Sequence, residues 1–470
     1  MTVWRRLDRV PAIAMVLLII AGTAGAGTAF AVEPPVVPPG PAPAGPVAPP
    51  DPTEQKTVCA VGGSRPQTDY RLAPIAQAML HYRDAWAYSR GAGQKVAVID
   101  TGVNPHPRLP VLQPGGDYVS GTDGLSDCDA HGTLVAGIIA AAPSADDAFA
   151  GVAPDAAILA IRQNSLSFAV KGGRQSYDPN SVSPGTGAAG YGNTHTLALA
   201  VTRAVDLGAT VINLSVLACA PSGIGIDDAD LGRAVRYAFD RNVVVVAAAG
   251  NVDKQGPCGA QNTMADPNLP VDTAWPDVRT VASPAWFDDY VLTVGSLSPY
   301  GEPSDFSLNG PWVDVAAPGE QVVSLDPNGP GLINGIPGQN GLAPINGTSY
   351  AAPYVAGVAA LVRARFPELS AAQVMERIER TARTPGAGPN IASGYGVVDP
   401  VAALTADLVA QDVDDARGTP IAGPPAPGPD ANRARNIAFI AAGGCVAAMV
   451  FAWALSVAYR RRNAEQSENL

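Results

Sequence analysis

The chain has 470 residues and a formal net charge of −12, with 42 acidic against 30 basic residues. No basic cluster interrupts its central part, which argues against a nucleic acid as partner. An acidic, apolar-rich chain of this length has room for a large buried core and for separate end segments.

Residues 1–31 carry Trp4-Arg5-Arg6, an apolar run from Pro11 to Ala21, and small residues ending in Ala29-Phe30-Ala31. A basic start, a short apolar stretch and an A-x-A-like ending predict a secretory signal over 1–31. The apolar run is too short to span a bilayer comfortably. An N-terminal extension, 32–82, follows. Its proline-dense opening, Pro34 to Pro52, predicts an extended polyproline-type spacer.

The body, 83–405, alternates apolar runs with helical patterns. "KVAVID" (Lys95 to Asp100), "AAILAIR" (Ala156 to Arg162), "ATVINLSV" (Ala209 to Val216), "VVVVAAAGN" (Val243 to Asn251) and "VLTVGSL" (Val291 to Leu297) read as strands. Their continuous hydrophobicity predicts a parallel sheet covered on both faces. Between them Leu197, Val201, Ala204 and Val205 recur at helical spacing before Gly208, and Leu231, Val235, Ala238 and Phe239 do the same. The expectation is a doubly wound, mostly parallel α/β sheet with helices on both faces. One stretch, 164–193, is rich in Gly, Ser and Pro without periodicity and reads as a long insertion.

Beyond the body, 406–436 is a Pro/Asp-rich linker. Ile437 to Tyr459 holds no charged residue, and Arg460-Arg461-Arg462 opens the tail 460–470. That length fits a hydrocarbon layer of ~30 Å, so 437–459 is the expected C-terminal transmembrane helix. With the signal removed, the arginines face the cytoplasm, and the body lies outside a single-pass anchor.

Polar residues gather where chemistry is expected in such a sheet, beyond the carboxyl ends of the strands. Asp100 ends "VAVID", Ser215 ends "VINLS", and Asn251 ends "VVVAAAGN". His131 opens the helical stretch "HGTLVAGIIA", and Ser349 opens "SYAAPYVAGVAALV". Ser349 is either the N-cap of a buried helix or a nucleophile at the positive end of a helix dipole. Pro353 is expected within the first turn, where N–H groups lack intrahelical partners. His81, His106 and His195 read as structural.

Acyl transfer by serine needs a base within reach of the hydroxyl, a carboxylate on the base's far nitrogen, and donors for the oxyanion. Ser349, His131, Asp100 and Asn251 supply one group for each role. No G-x-S-x-G elbow occurs, which counts against an α/β-hydrolase. The order Asp, His, Ser is the order found in subtilisin.

On "VAVIDTGV", "HGTLVAGIIA", "GVAPDAAILAIR", "VINLSV", "AAAGN", "VDVAAPG" and "GTSYAAPYVAGVAALV" the chain resembles the subtilisin-like serine proteases. The resemblance implies nucleophilic Ser349, His131 as base and acid, Asp100 as its orienting partner, and Asn251 as oxyanion donor. It also implies that Ser215, Val216 and Leu217 pair with an extended peptide substrate, and that Ala247 to Gly250 wall a specificity pocket. No acidic ligand loop is present, so neither metal nor cofactor is expected.

A signal, a proline-rich start and a C-terminal anchor around such a body resemble the mycosins, membrane-anchored proteases of mycobacterial type VII secretion systems. Four of the five cysteines lie outside the expected membrane segment, and four permit three pairings. The fold implied by the resemblance favours Cys219 with Cys258 and Cys59 with Cys128. The extension looks too short and too proline-rich for a compact inhibitory propeptide, so it is expected to wrap the domain. The resemblance implies protein substrates, a secretion membrane complex as partner and a cell-membrane location. Two functions follow: peptide-bond hydrolysis on exported proteins, or a structural component that docks on and stabilises the complex independently of proteolysis. The insertion 164–193 is expected to overhang the substrate groove.

Overall fold

In the computed structural model, the described residues are 32–172, 180–184, 190–254, 256–266, 268–338, 341–384, 386, 388–408, 443 and 446–458. They fall into two units, divided between Ala406 and Asp407. The expected signal, nearly all of the linker and part of the expected span lie outside the described residues.

The first unit is built on seven parallel strands: β1 (Lys95–Asp100), β2 (Leu112–Asp117), β3 (Ala157–Arg162), β4 (Val211–Leu214), β6 (Val244–Ala248), β8 (Val291–Leu297) and β9 (Val315–Pro318). Their order is β9-β8-β6-β4-β1-β3-β2. A second sheet contains β5 (Val216–Pro221) and β7 (Thr280–Ser283), paired antiparallel. This is the mostly parallel α/β sheet with helices on both faces expected from the apolar runs.

Strand residues alternate between two cores because side chains project to opposite faces. Val96 and Val98 join the core that holds α1 (His131–Ala140), α4 (Thr348–Arg365) and α5 (Ala371–Thr381). Ala97 and Ile99 join the opposite core, under α2 (Thr194–Asp206) and α3 (Ala229–Asp240). Every residue from Thr348 to Val362 is buried, so α4 is wrapped by protein on all sides. Such a helix needs small residues, and its Ala and Gly content supplies them.

Three local expectations are corrected. The run 209–216 is not one strand: β4 stops at Leu214, Ser215 is the turning point, and Val216 starts the second sheet. Asn251 does not end a strand; β6 stops at Ala248, and Gly250, at φ +108°, bends the chain before it. In α4 the N-cap is Gly347, so Ser349 is the second helical residue and Pro353 lies beyond the first turn.

The proline-dense stretch is not a free spacer. Val37 is buried in the second core, and Gly45 lies against Leu199 of α2. Thr53–Gln55 then pair antiparallel with Phe168–Val170 of the insertion. Cys59 is bonded to Cys128, and Cys219 to Cys258. In the second unit Val446 to Ala458 are helical. Among the described residues no helix is long and apolar enough to cross a membrane.

Candidate active site

Asp100 is the last residue of β1 and His131 the first of α1, on neighbouring turns. Gly132 permits their approach: a Cβ there would sit 2.0 Å from the Gly102 carbonyl oxygen and 3.1 Å from the Asp100 Cβ. Any side chain would push the helix start off the strand end.

His131 Nδ1 lies 2.7 Å from Asp100 Oδ1, and His131 Nε2 lies 2.9 Å from Ser349 Oγ. A carboxylate can only accept, so Nδ1 carries the proton, and Nε2 of the neutral ring accepts from the Ser349 hydroxyl. All three side chains are buried, Asp100 completely. The Thr101 N–H also donates to Asp100 Oδ1, at 2.7 Å.

Behind this row stands Asp127, which reading the sequence did not single out. Its carboxylate accepts from Thr101 Oγ1 at 2.8 Å, and from the N–H and hydroxyl of Thr133 at 2.9 and 2.7 Å. The Gly132 N–H donates to Thr101 Oγ1 in turn. One buried acid therefore ties the Asp100 turn to the first turn of α1. Burial pushes Asp127 up to about 6 despite these donors. For His131, burial pulls the pKa down, but the Asp100 carboxylate, by charge and hydrogen bond, and then Asp127 and Asp129 outweigh it. The imidazole sits above its ordinary value. The ring of Tyr350 packs 4.9 Å from the imidazole, centre to centre.

Asn251 is fixed as a donor. Its Oδ1 accepts from both the N–H and the hydroxyl of Thr348, each at 2.9 Å. That turns the NH₂ away from Thr348, on a residue that lines the cleft. A Cβ placed on Gly347 would lie 3.0 Å from Ser349 Oγ and 3.3 Å from Asn251 Nδ2, so both atoms flank one small space. A peptide carbonyl entering that space meets a hydroxyl activated by a base and an amide donor for the negative charge that develops on oxygen.

A cleft of 720 Å³ opens onto His131, Asn251 and Ser349. Its rim is made by Thr57 to Val61 of the extension, Leu166 and Ser167 of the insertion, and Ile336 and Pro337 of a hairpin pairing Gly335–Gly338 with Gly341–Pro344. Asp129 anchors the root of the insertion, accepting from Ser165 Oγ, Leu166 N, and both N–H and hydroxyl of Ser167. The Ala60 N–H donates to the Cys128 carbonyl, and Gly63 bridges Gly335. The extension thus runs along the mouth from insertion to hairpin.

The residues expected to bind substrate are placed differently from the row. Val216 and Leu217 are buried and pair with Pro184 and Ser183 of the insertion. Ser215 is buried, and its hydroxyl points to the Ser349 carbonyl at 2.6 Å. Gly250 is buried, and its N–H donates to Thr348 Oγ1. Of the remaining histidines, His195 lies in the first turn of α2 and pairs with Asp230, while His106 sits in a loop beside Arg108.

A parallel sheet with Asp, His and Ser converging at one rim defines a subtilisin-type serine protease. Residues 91–397 match the Subtilase family. Mycosin-4 of Mycobacterium tuberculosis (strain ATCC 25618 / H37Rv) is 47% identical over 446 residues, 93% of this chain and 94% of that protein. The crystal structure of MycP1 from the ESX-1 type VII secretion system matches with a TM-score of 0.74 and 46% identity, covering 80% of this chain and 97% of that one. A chain of an intact ESX-5 inner membrane complex matches with a TM-score of 0.72 and 43% identity, over 90% of this chain and 99% of that one. The chain belongs to the Subtilase family and, within it, to the mycosins.

Proposed function

We propose that Ser349 is the nucleophile of peptide-bond hydrolysis, His131 its general base, and Asp100 the group that orients and stabilises the imidazolium. Ser349 Oγ attacks the carbonyl carbon while its proton passes to His131 Nε2. The oxyanion is met by Asn251 Nδ2 and the Ser349 N–H. As the tetrahedral adduct collapses, Nε2 returns the proton to the departing amine and leaves an acyl-enzyme. Water then repeats the sequence and regenerates the hydroxyl. The observation that carries this reading is the continuous row Asp100, His131, Ser349 at 2.7 and 2.9 Å. Replacing Ser349 by Ala should abolish hydrolysis; residual turnover near the wild-type rate would overturn it.

The same reading places the enzyme at a type VII secretion membrane complex, outside the cytoplasmic membrane, acting on exported proteins without a cofactor. Its support is the likeness to a chain of the ESX-5 inner membrane complex and to MycP1. The anchor would be 437–459, where Val446, Met449, Val450, Phe451, Trp453 and Leu455 are all exposed. Removing 437–470 should release the protein from alkaline-washed membranes.

A second reading, a structural part of the complex, is favoured by the near-complete coverage of the ESX-5 chain. Secretion lost in a deletion but kept in Ser349→Ala assigns the structural role. Loss in both assigns the proteolytic one.

A further inference from the structure

An α-helix bonds the N–H of each residue to the carbonyl four residues earlier. In α4 the partner due to the Ser349 carbonyl is residue 353, a proline, which has no N–H to give. The nucleophile's own carbonyl is therefore released from the helix. Yet it is buried, where an unmet carbonyl is disfavoured.

Ser215, at the turn between β4 and β5, fills the gap. Its hydroxyl donates to the Ser349 oxygen at 2.6 Å, and neither residue is open to solvent. A hydroxyl has one proton and can rotate, so something must aim it. Asn213, on β4 at the middle of the sheet, does so: its Nδ2 donates to Ser215 Oγ at 2.9 Å, occupying a lone pair and leaving the proton for Ser349.

We propose that Ser215, aimed by Asn213, is a positioning residue for the nucleophile: it replaces the hydrogen bond that Pro353 cannot make and so fixes the backbone of Ser349 from the sheet. This rests on Ser349 being the nucleophile. Ser349 then has three restraints, with Oγ on His131, the carbonyl on Ser215, and the helix continuing beyond. The central strand, not the helix, sets where Oγ and the Ser349 N–H point. A small shift there misaligns attack and oxyanion together, a displacement of the kind that costs about 10²-fold when it reaches 1 Å.

The test is a cycle of Ser215→Ala and Pro353→Ala, with kcat referred to sites titrated by a serine-directed fluorophosphonate. Ser215→Ala should lower kcat about 10- to 100-fold, with KM within about threefold. In the Pro353→Ala background, where residue 353 regains its N–H, the same change should cost less than about threefold. An undiminished loss in that background overturns the proposal. So does a raised KM at unchanged kcat, which would make Ser215 a substrate contact. Should Pro353→Ala not fold, Asn213→Asp serves: its carboxylate draws the Ser215 proton away from Ser349. It should lower kcat alone and add nothing to Ser215→Ala, whereas additive losses overturn the idea. Full activity in Ser349→Ala would instead overturn the underlying reading.

Discussion

At Asn251, an amide that could point either way is fixed by two donors from Thr348, and in the proposed mechanism its NH₂ is the group that meets the reacting carbonyl. A bond offered there would strengthen as charge gathers on oxygen, and this decides which kinetic constant responds. Asn251→Ala should lower kcat about 10²- to 10³-fold and leave KM nearly unaltered in steady-state peptide hydrolysis. As the proposed general base, His131 sets the pH response. Only the neutral imidazole accepts the proton, and its pKa lies above the ordinary 6.5. The acid limb of kcat/KM should therefore have its midpoint above 6.5, and Asp127→Asn, which removes a nearby negative charge, should move it down. A pH–rate profile of the two proteins checks both. The sign for stability is opposite. The imidazolium's pairing with Asp100 favours the folded state below 6.5 and is lost as pH rises through the raised value.

At the scale of elements, the cleft owes its walls to segments tied by few bonds. Asp129 holds the insertion root by four hydrogen bonds, so Asp129→Ala should loosen Leu166 and Ser167. A peptide library should then be cut at more sites than by the parent, while an unaltered profile would separate this wall from selectivity. Loss of the Cys59–Cys128 bond, which closes a separation of 69 residues, should cost about 4 kcal/mol by loop entropy, read as a lower midpoint of denaturation.

These walls were the least legible part of the sequence, for a physical reason. "KVAVID" announces a strand because both its faces are buried, and α2 announces itself by a stripe at helical spacing. By contrast, Leu112–Asp117 contains Pro114, Gly115 and Gly116, and the hairpin Gly335–Pro344 is mostly Gly, Pro and small residues. Leu112–Asp117 takes its strand state from the distant Ala157–Arg162, and the two hairpin strands take theirs from each other, not from their own propensity. The row Asp100, His131, Ser349 could be read because each residue sits at the end of a strong element. Asp127 could not, since its importance arises only where the turns of β1 and α1 meet. The four-residue gap from Asp127 to His131 was the one available hint.

For the molecule as a whole, the unit ending at Ala406 carries every residue of the row, both cores and both disulfides. Residues 32–406 alone should hydrolyse peptides in solution at a rate comparable with the full chain, yet be missing from the membrane fraction. Activity that needed the remainder would locate part of the site beyond Ala406. Because Cys59 is covalently fastened to Cys128, close before His131, a cut anywhere upstream of it would shorten the chain without removing this part of the rim. The trimmed enzyme would keep its gatepost, and only reduction together with cleavage further along could carry it away.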